Sequence, residues 1–310
     1  MMRGSKAMAV AVRDPQGKIV LHSEPLNPKV YGGPMARLPF LRGLTMLWDS
    51  LVLGMRALMY SADVMASGLS ASTLLTLVAG GLLLGAEGAS DDAGSQPSGK
   101  SSVFEGPVMY GTLIVSLTFG IGLFFLLPKV LAQLVQRWTG SWAWGLVAEG
   151  VIRLGLFVGY IAAIGLMPDI RRVFGYHGAE HKTINAYEGG APLTVEGVRP
   201  FTTAHPRCGT AFLLTVVVLS ILVFAPLAKL PLALGLVARI LLIPVIAMIG
   251  YEFIRFSARR LDNPLMRIVI APNLALQSLT TRQPDDSMIE VAIAALKGVL
   301  DVEGSLTSAE

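Results

Sequence analysis

Four apolar runs decide where the rest of this chain can go. They are residues 108–127 ("VMYGTLIVSLTFGIGLFFLL"), 143–167, 210–228 and 232–251. A helix needs about 20 predominantly apolar residues to cross the hydrocarbon core of a bilayer. Only a helix or a closed barrel satisfies its own backbone there. The runs are continuous and not alternating, so helices are expected. Charged residues make up only 15% of the chain, where globular proteins carry about 25%. The expected class is therefore a mainly α integral membrane protein with four transmembrane helices. A fifth run, 71–86, is shorter and broken by glycines, and reads as a membrane-dipping or buried helix. The stretch "EGASDDAGSQPSGKSS" behind it reads as a flexible linker.

Charge fixes the expected orientation. With four spans, residues 1–107, the loop 168–209 and the tail after 251 share one side. They carry 9, 5 and 6 Lys/Arg, while the opposite loops keep only Lys129, Arg137 and Lys229. Basic residues stay on the cytoplasmic side, so both termini are expected in the cytoplasm of a cell whose inner membrane holds the protein. No signal-peptide pattern opens the chain. The basic residues are dispersed without interleaved aromatics, which argues against a nucleic-acid partner. Membrane lipid is the expected surrounding.

Four parts follow from this reading. Residues 1–39 hold "AMAVAVR" and "KIVLHSE", alternating runs split by "DPQG", which predict a β-hairpin. Residues 40–107 begin with an amphipathic, membrane-associated helix over 40–66 and end in the linker. Residues 108–251 are the span domain. Residues 252–310 are a tail whose "SMIEVAIAALKGVL" predicts an amphipathic helix, with Ser287 and Glu290 in capping-box spacing. Its apolar stripe needs a partner, either the hairpin or the 168–209 loop.

That loop gathers three of the four histidines and the one cysteine. In "YHGAEHKTINAYEGG" a helix is predicted over 175–188, stopped at Gly189-Gly190. Residues four apart share a helix face, so His177 and His181 project together and suit one divalent ion. Glu180 sits at the edge of that face. The order His-x-x-Glu-His is that of inverzincin metallopeptidases, where both histidines bind zinc and the glutamate is the general base. In "HPRCG", His205 and Cys208 lie in a turn and can complete the ligand set; a thiolate suits zinc. If all four bind, the site is closed and structural; if three bind, water can enter and the site can be catalytic. Glu188 lies on the same stripe, about 10 Å further along the axis, and suits a supporting or substrate-binding role. Glu252 follows the fourth run on the same side as the loop; an inverzincin's third ligand lies downstream in this way. A solvated helix face explains a His/Glu pair equally well when it stands alone. His22, in the hairpin, has no such companions. Within the spans, Glu149, Arg153 and Arg239 are either a structural ion group or a transport path. Trp138, Trp142 and Trp144 read as an interfacial aromatic belt.

The segments "YHGAEHKTINAYE", "HPRCGTAF", "YEFIRFSAR" and "LTTRQPDDSMIEVAIAAL" together resemble the YqhQ family, bacterial membrane proteins of unknown function often labelled predicted metal-dependent enzymes. The resemblance runs along almost the whole chain. It matches His177, Glu180, His181, Glu188, His205, Arg207, Cys208 and Glu252. It also implies a Gly-rich stretch with a glutamate ahead of "MMRG", so any site residue there lies outside this sequence. The expected function is zinc-dependent hydrolysis of a peptide or lipid-linked substrate at the cytoplasmic face, with another divalent metal as an alternative ion. Glu180 is the expected base; Glu188, Arg207 and Glu252 are expected around the metal or the substrate. The rival expectation is a scaffold with a structural zinc, docking a membrane-protein or peptide partner.

Overall fold

The computed structural model describes residues 1–27, 31, 38–48, 52–67 and 107–308. The expected membrane-dipping segment 71–86 and its linker lie outside the described residues.

The "DPQG" turn forms as its chemistry requires. Gly17 takes φ 86°, and the Asp14 carboxylate accepts from the Lys18 N–H at 2.8 Å. This joins β2 (Ala7–Arg13) to β3 (Ile19–Pro25) in an antiparallel pair. A short β1 (Met2–Arg3), not foreseen, adds to the other edge of β2, giving the order β1-β2-β3. Strand β2 is covered on both faces. Ala7 and Ala9 pack against the C-terminal helix α11 (Asp286–Ser308), whereas Met8, Val10 and Val12 pack with Leu53 and α2 (Gly54–Ser67). Alternating side chains point to opposite faces, so small residues let α11 approach while large ones fill the other side.

Helix α11 begins one residue before the expected Ser287 cap. Asp285 is the cap, accepting from the Met288 N–H at 2.9 Å. Glu290, expected to close a capping box, is bonded instead to Arg13 across the sheet at 2.5 Å. The stripe of α11 has both candidate partners: Ile289, Ala292 and Leu296 share one core with β2 and with Ala179 and Ala186 of α6 (Pro168–Glu188). The expected helix over 40–66 is described as two, α1 (Arg42–Trp48) and α2. Gly43 lets α1 lie against the membrane domain, since a Cβ there would stand 2.7 Å from Met248 Cα.

The apolar runs are helical. Helix α3 (Pro107–Ile121) passes through a π-helical turn, Gly122–Leu126, into α4 (Leu127–Thr139). Gly140, at φ 67°, reverses the chain into α5 (Trp142–Ile164). Helices α8 (Gly209–Phe224) and α9 (Leu232–Ala258) follow α6 and a short α7 (Val195–Val198). Among the described residues, three helical stretches are long and apolar enough to cross a membrane: Ile114–Thr139, Trp142–Ile164 and Ala233–Ala258. The third expected run folds as the 16-residue α8, which rises about 24 Å, short of the roughly 30 Å hydrocarbon core. Outward residues such as Ile114, Phe119, Val151 and Leu241 are apolar and exposed, the surface expected of helices solvated by lipid. Trp138 and Trp144 are exposed beside the Gly140 turn. An additional helix, α10 (Pro264–Thr280), was not anticipated in the tail; it packs along α8 and the end of α5.

Candidate functional site

Helix α6 is the platform. Pro168 opens it at the position where a missing N–H costs nothing, and Gly190, at φ 71°, ends it. Its residues 177, 181 and 185 lie one turn apart. Between the two histidines stands Gly178, where a Cβ would strike the Arg282 carbonyl oxygen. Glycine there lets the chain leaving α10 run against α6, and Arg282 N–H bonds Phe174 O at 2.9 Å. That close approach delivers the Thr280 carbonyl to His177 Nδ1 at 2.8 Å. On the next turn Lys182 donates to the carbonyls of Arg199 (2.8 Å) and Phe201 (2.7 Å), and Asn185 to those of Thr202 (2.9 Å) and Ala204 (3.0 Å). These bonds pull the 199–205 loop onto the helix. The loop's Thr203 carbonyl then meets His181 Nδ1 at 2.6 Å.

Both imidazoles therefore turn Nδ1–H toward a backbone carbonyl, which leaves Nε2 as the atom available to a ligand or a neighbouring side chain. Outer hydrogen bonds of this kind orient metal-ligating histidines and raise their basicity. His177 Nε2 lies 3.1 Å from Cys208 Sγ, and the two rings are 4.4 Å apart. The ligand atoms of His177, His181 and Cys208 all fall within 4.8 Å of one another, so this group could hold a metal ion. Cys208 is the N-cap of α8, its sulfur accepting from the Thr210 N–H, and a thiolate is favoured at a helix N-terminus. Burial alone would raise the thiol's pKa, but hydrogen bonds from His177 and His181 outweigh it and bring it down to about 5. For His177, burial works downward and is outweighed by the Cys208 sulfur, so its pKa is raised.

His205 stands beside this group, its ring 5.6 Å from that of His181. Gln277 of α10 holds the His205 backbone twice, accepting from its N–H at 2.7 Å and donating to its carbonyl at 2.9 Å. Burial first, then His181 and Arg207, push the His205 pKa down to about 4, so its ring is neutral at pH 7. Its Nε2 is buried without a hydrogen bond and lies 3.9 Å from Glu188. Glu188 is clamped by Arg207 at 2.7 and 2.8 Å. The structure thus brings His177, His181 and Cys208 together and sets His205, Glu188 and Arg207 in a chain next to them.

Two sequence-derived candidates stand elsewhere. Glu180 turns to the neighbouring face of α6, where its carboxylate meets the Met1 amine at 2.5 Å and lines a separate cavity with Arg13 and Tyr176; its charge still reaches His177. Glu252 is not in the ligand group: it pairs with the Arg42 guanidinium and accepts from the Phe40 N–H at 3.1 Å. Conversely, Gly178, Lys182, Asn185, Gln277 and the carbonyls of Thr203 and Thr280 build the site and were not singled out. Only Gly178 left a signal, as a glycine inside a helical pattern.

Fold and site together define a class: an apolar helical protein with membrane-spanning candidates, bearing a His–His–Cys group where α6 meets the start of α8. The family model described as "Protein of unknown function (DUF1385)" matches residues 38–302. "Uncharacterized protein YqhQ" of Bacillus subtilis (strain 168) is 31% identical over 309 residues, covering 98% of this chain and 90% of that protein. The chain belongs to this YqhQ family. No solved structure matches it.

Proposed function

We propose that the chain is a membrane-embedded, metal-dependent hydrolase working at the cytoplasmic face of the inner membrane. Both termini lie inside in this reading, and α8 with its following turn serves as a fourth, short span. The observation that carries it is the ligand count: three side chains converge, and a third imidazole, that of His205, stands close by with an unpartnered nitrogen. Sites with three protein ligands keep a position open for water or substrate. His177, His181 and Cys208 would hold the ion, with zinc the best match to a thiolate and two imidazoles.

When bound, zinc polarises substrate oxygens and lowers the pKa of water to about 7. The chain's own groups do the rest. His205, neutral and with Nε2 free, accepts a proton at that atom. Glu188, 3.9 Å from that nitrogen, stabilises the imidazolium, and Arg207 holds Glu188 in place. Glu180 remains a second candidate base, through its reach to His177. A second reading, a structural zinc in a scaffold that docks a peptide or membrane protein, is favoured by the carbonyl bonds. Through Thr203 and Thr280 the two histidines tie the 199–205 loop and α10 to α6.

Complementation of a strain lacking the gene separates the two, scored beside zinc content. For a hydrolase, His205→Gln keeps zinc and loses function by about 10² or more, the scale of acid–base catalysis. Glu180→Gln, compared in parallel, decides which of the two groups is the base. Full complementation by both variants contradicts the hydrolase reading.

A further inference from the structure

Next to Cys208 lies a cavity of ≈ 700 Å³ between β1, the start of α8 and the last turns of α9. Four arginines line it, Arg3, Arg207, Arg255 and Arg259, and no carboxylate does. Arg207 spends one edge on Glu188, and Arg3 lies over the Tyr31 ring at 5.0 Å. Arg255 and Arg259 make no ion pair among the described residues. The remaining lining is largely apolar, including Phe212 and Ile254. Further along α9, Leu241, Val245, Ile249 and Phe256 are exposed and apolar, so the cavity sits at the end of a lipid-solvated helix. Like charges converging in one cleft repel unless an anion joins them. Arginine presents a planar fork that matches phosphate oxygens in pairs, and basic pockets at helix ends are built for lipid headgroups.

We propose that this cavity binds the phosphate of an amphiphile, with Arg255 and Arg259 as its principal donors. The ligand's phosphate then stands beside Cys208 and its apolar part lies along α9. Naming this ligand as the substrate class rests on the hydrolase reading above; the binding itself does not.

The test uses the full chain in nanodiscs of neutral phosphatidylcholine. Retained dioleoyl phosphatidic acid is counted by native mass spectrometry, and inorganic phosphate binding is measured by calorimetry. The Arg255→Gln, Arg259→Gln double variant should bind about tenfold or more weakly, as expected for losing charge-assisted hydrogen bonds, with zinc content unchanged. Arg255→Lys, Arg259→Lys keeps the charge without the fork and should fall between, which guards against a folding defect. Retention of phosphatidic acid without inorganic phosphate binding identifies a lipid ligand; binding of both identifies phosphate itself as the determinant. Retention of phosphatidic acid by His181→Ala upholds the pocket even if the metal reading fails. Unchanged binding by the double variant, or no preference of the parent for either phosphate probe over phosphatidylcholine, overturns the proposal.

Discussion

Two buried polar groups in this protein are built on opposite plans. In the His–Cys site, the polar atoms that face inward are mostly met by backbone: carbonyls take both Nδ1–H groups, and Gln277 takes both sides of the His205 peptide. In the helical domain, Lys129, Arg153 and Arg239 surround the single carboxylate of Glu149. Arg153 pairs with it at 2.7 Å and Arg239 lies 2.8 Å away. Arg239 is fully buried, and its Nε and Nη1 have no hydrogen-bond partner. Both arginines also lean on the Phe224 ring, at 5.2 and 5.5 Å. The first group is positioned and leaves chosen nitrogens free. The second is held by one charge, so its stability hangs on that charge. A buried group reads as a site when its loose ends are few and face the same way.

The largest expected effect breaks the second group. Glu149→Gln leaves three buried cations uncompensated and should destabilise the protein by about 3–5 kcal/mol, the cost of removing one partner of a buried ion pair. Arg239→Met should cost much less, because an apolar side chain of similar volume replaces an expensive ion. Thermal unfolding in detergent measures both; equal losses would show that the two charges are not organised around Glu149.

Gly178→Ala sharpens the first group. The added methyl pushes Arg282 away from α6, and overpacking of this kind costs about 1–3 kcal/mol. The shift also draws the Thr280 carbonyl from His177, so metal affinity should fall. A variant with wild-type melting and wild-type zinc content would contradict the close-approach argument.

Two of the shifted groups in the site, Cys208 and His177, give the metal-free protein opposite pH dependences. The Cys208 pKa is lowered, so its contribution is present above the ordinary thiol value and is lost as pH falls through about 5. The His177 pKa is raised, so its contribution is full below the ordinary imidazole value and is lost as pH rises through its folded value. Stability from this pair therefore falls on the acid side as pH drops through about 5, and the His177 part is lost on the alkaline side as that ring deprotonates. Melting curves across pH, with Cys208→Ser as control, read this out. The smallest effect is expected at the exposed Arg199–Asp286 pair: Arg199→Ala should change stability by about 1 kcal/mol or less.

The elements with strong periodicity were legible in the sequence. The apolar runs, the "DPQG" hairpin and the helix carrying His177 and His181 all follow from local pattern, and so did the idea that Cys208 joins them; His205, expected as a ligand too, stands beside the group. What was not legible depends on tertiary contact. Helix α10 carries Pro264 and Pro272 and turns the polar Asn273, Gln277 and Thr280 inward, so prolines and polar residues obscure its helical pattern. The Ser287 capping box gave way to Asp285 because Glu290 was drawn to Arg13. The face taken by Glu180 depends on the sheet that packs beside it, and the partner of Glu252 is Arg42, more than two hundred residues earlier in the chain. The supports of the site are mostly backbone carbonyls, which leave no signature in side-chain identity.

The proposed hydrolase requires that His177, His181 and Cys208 hold one metal ion and leave one position open. Metal analysis of protein purified without chelator, followed by X-ray absorption at the zinc edge, tests it most directly. About one zinc per chain is expected, coordinated by two imidazole nitrogens, one sulfur and one light exchangeable ligand. Loss of the metal is expected in the His177→Ala, His181→Ala double variant. Absence of metal, a shell without sulfur, or full zinc in that double variant would contradict it.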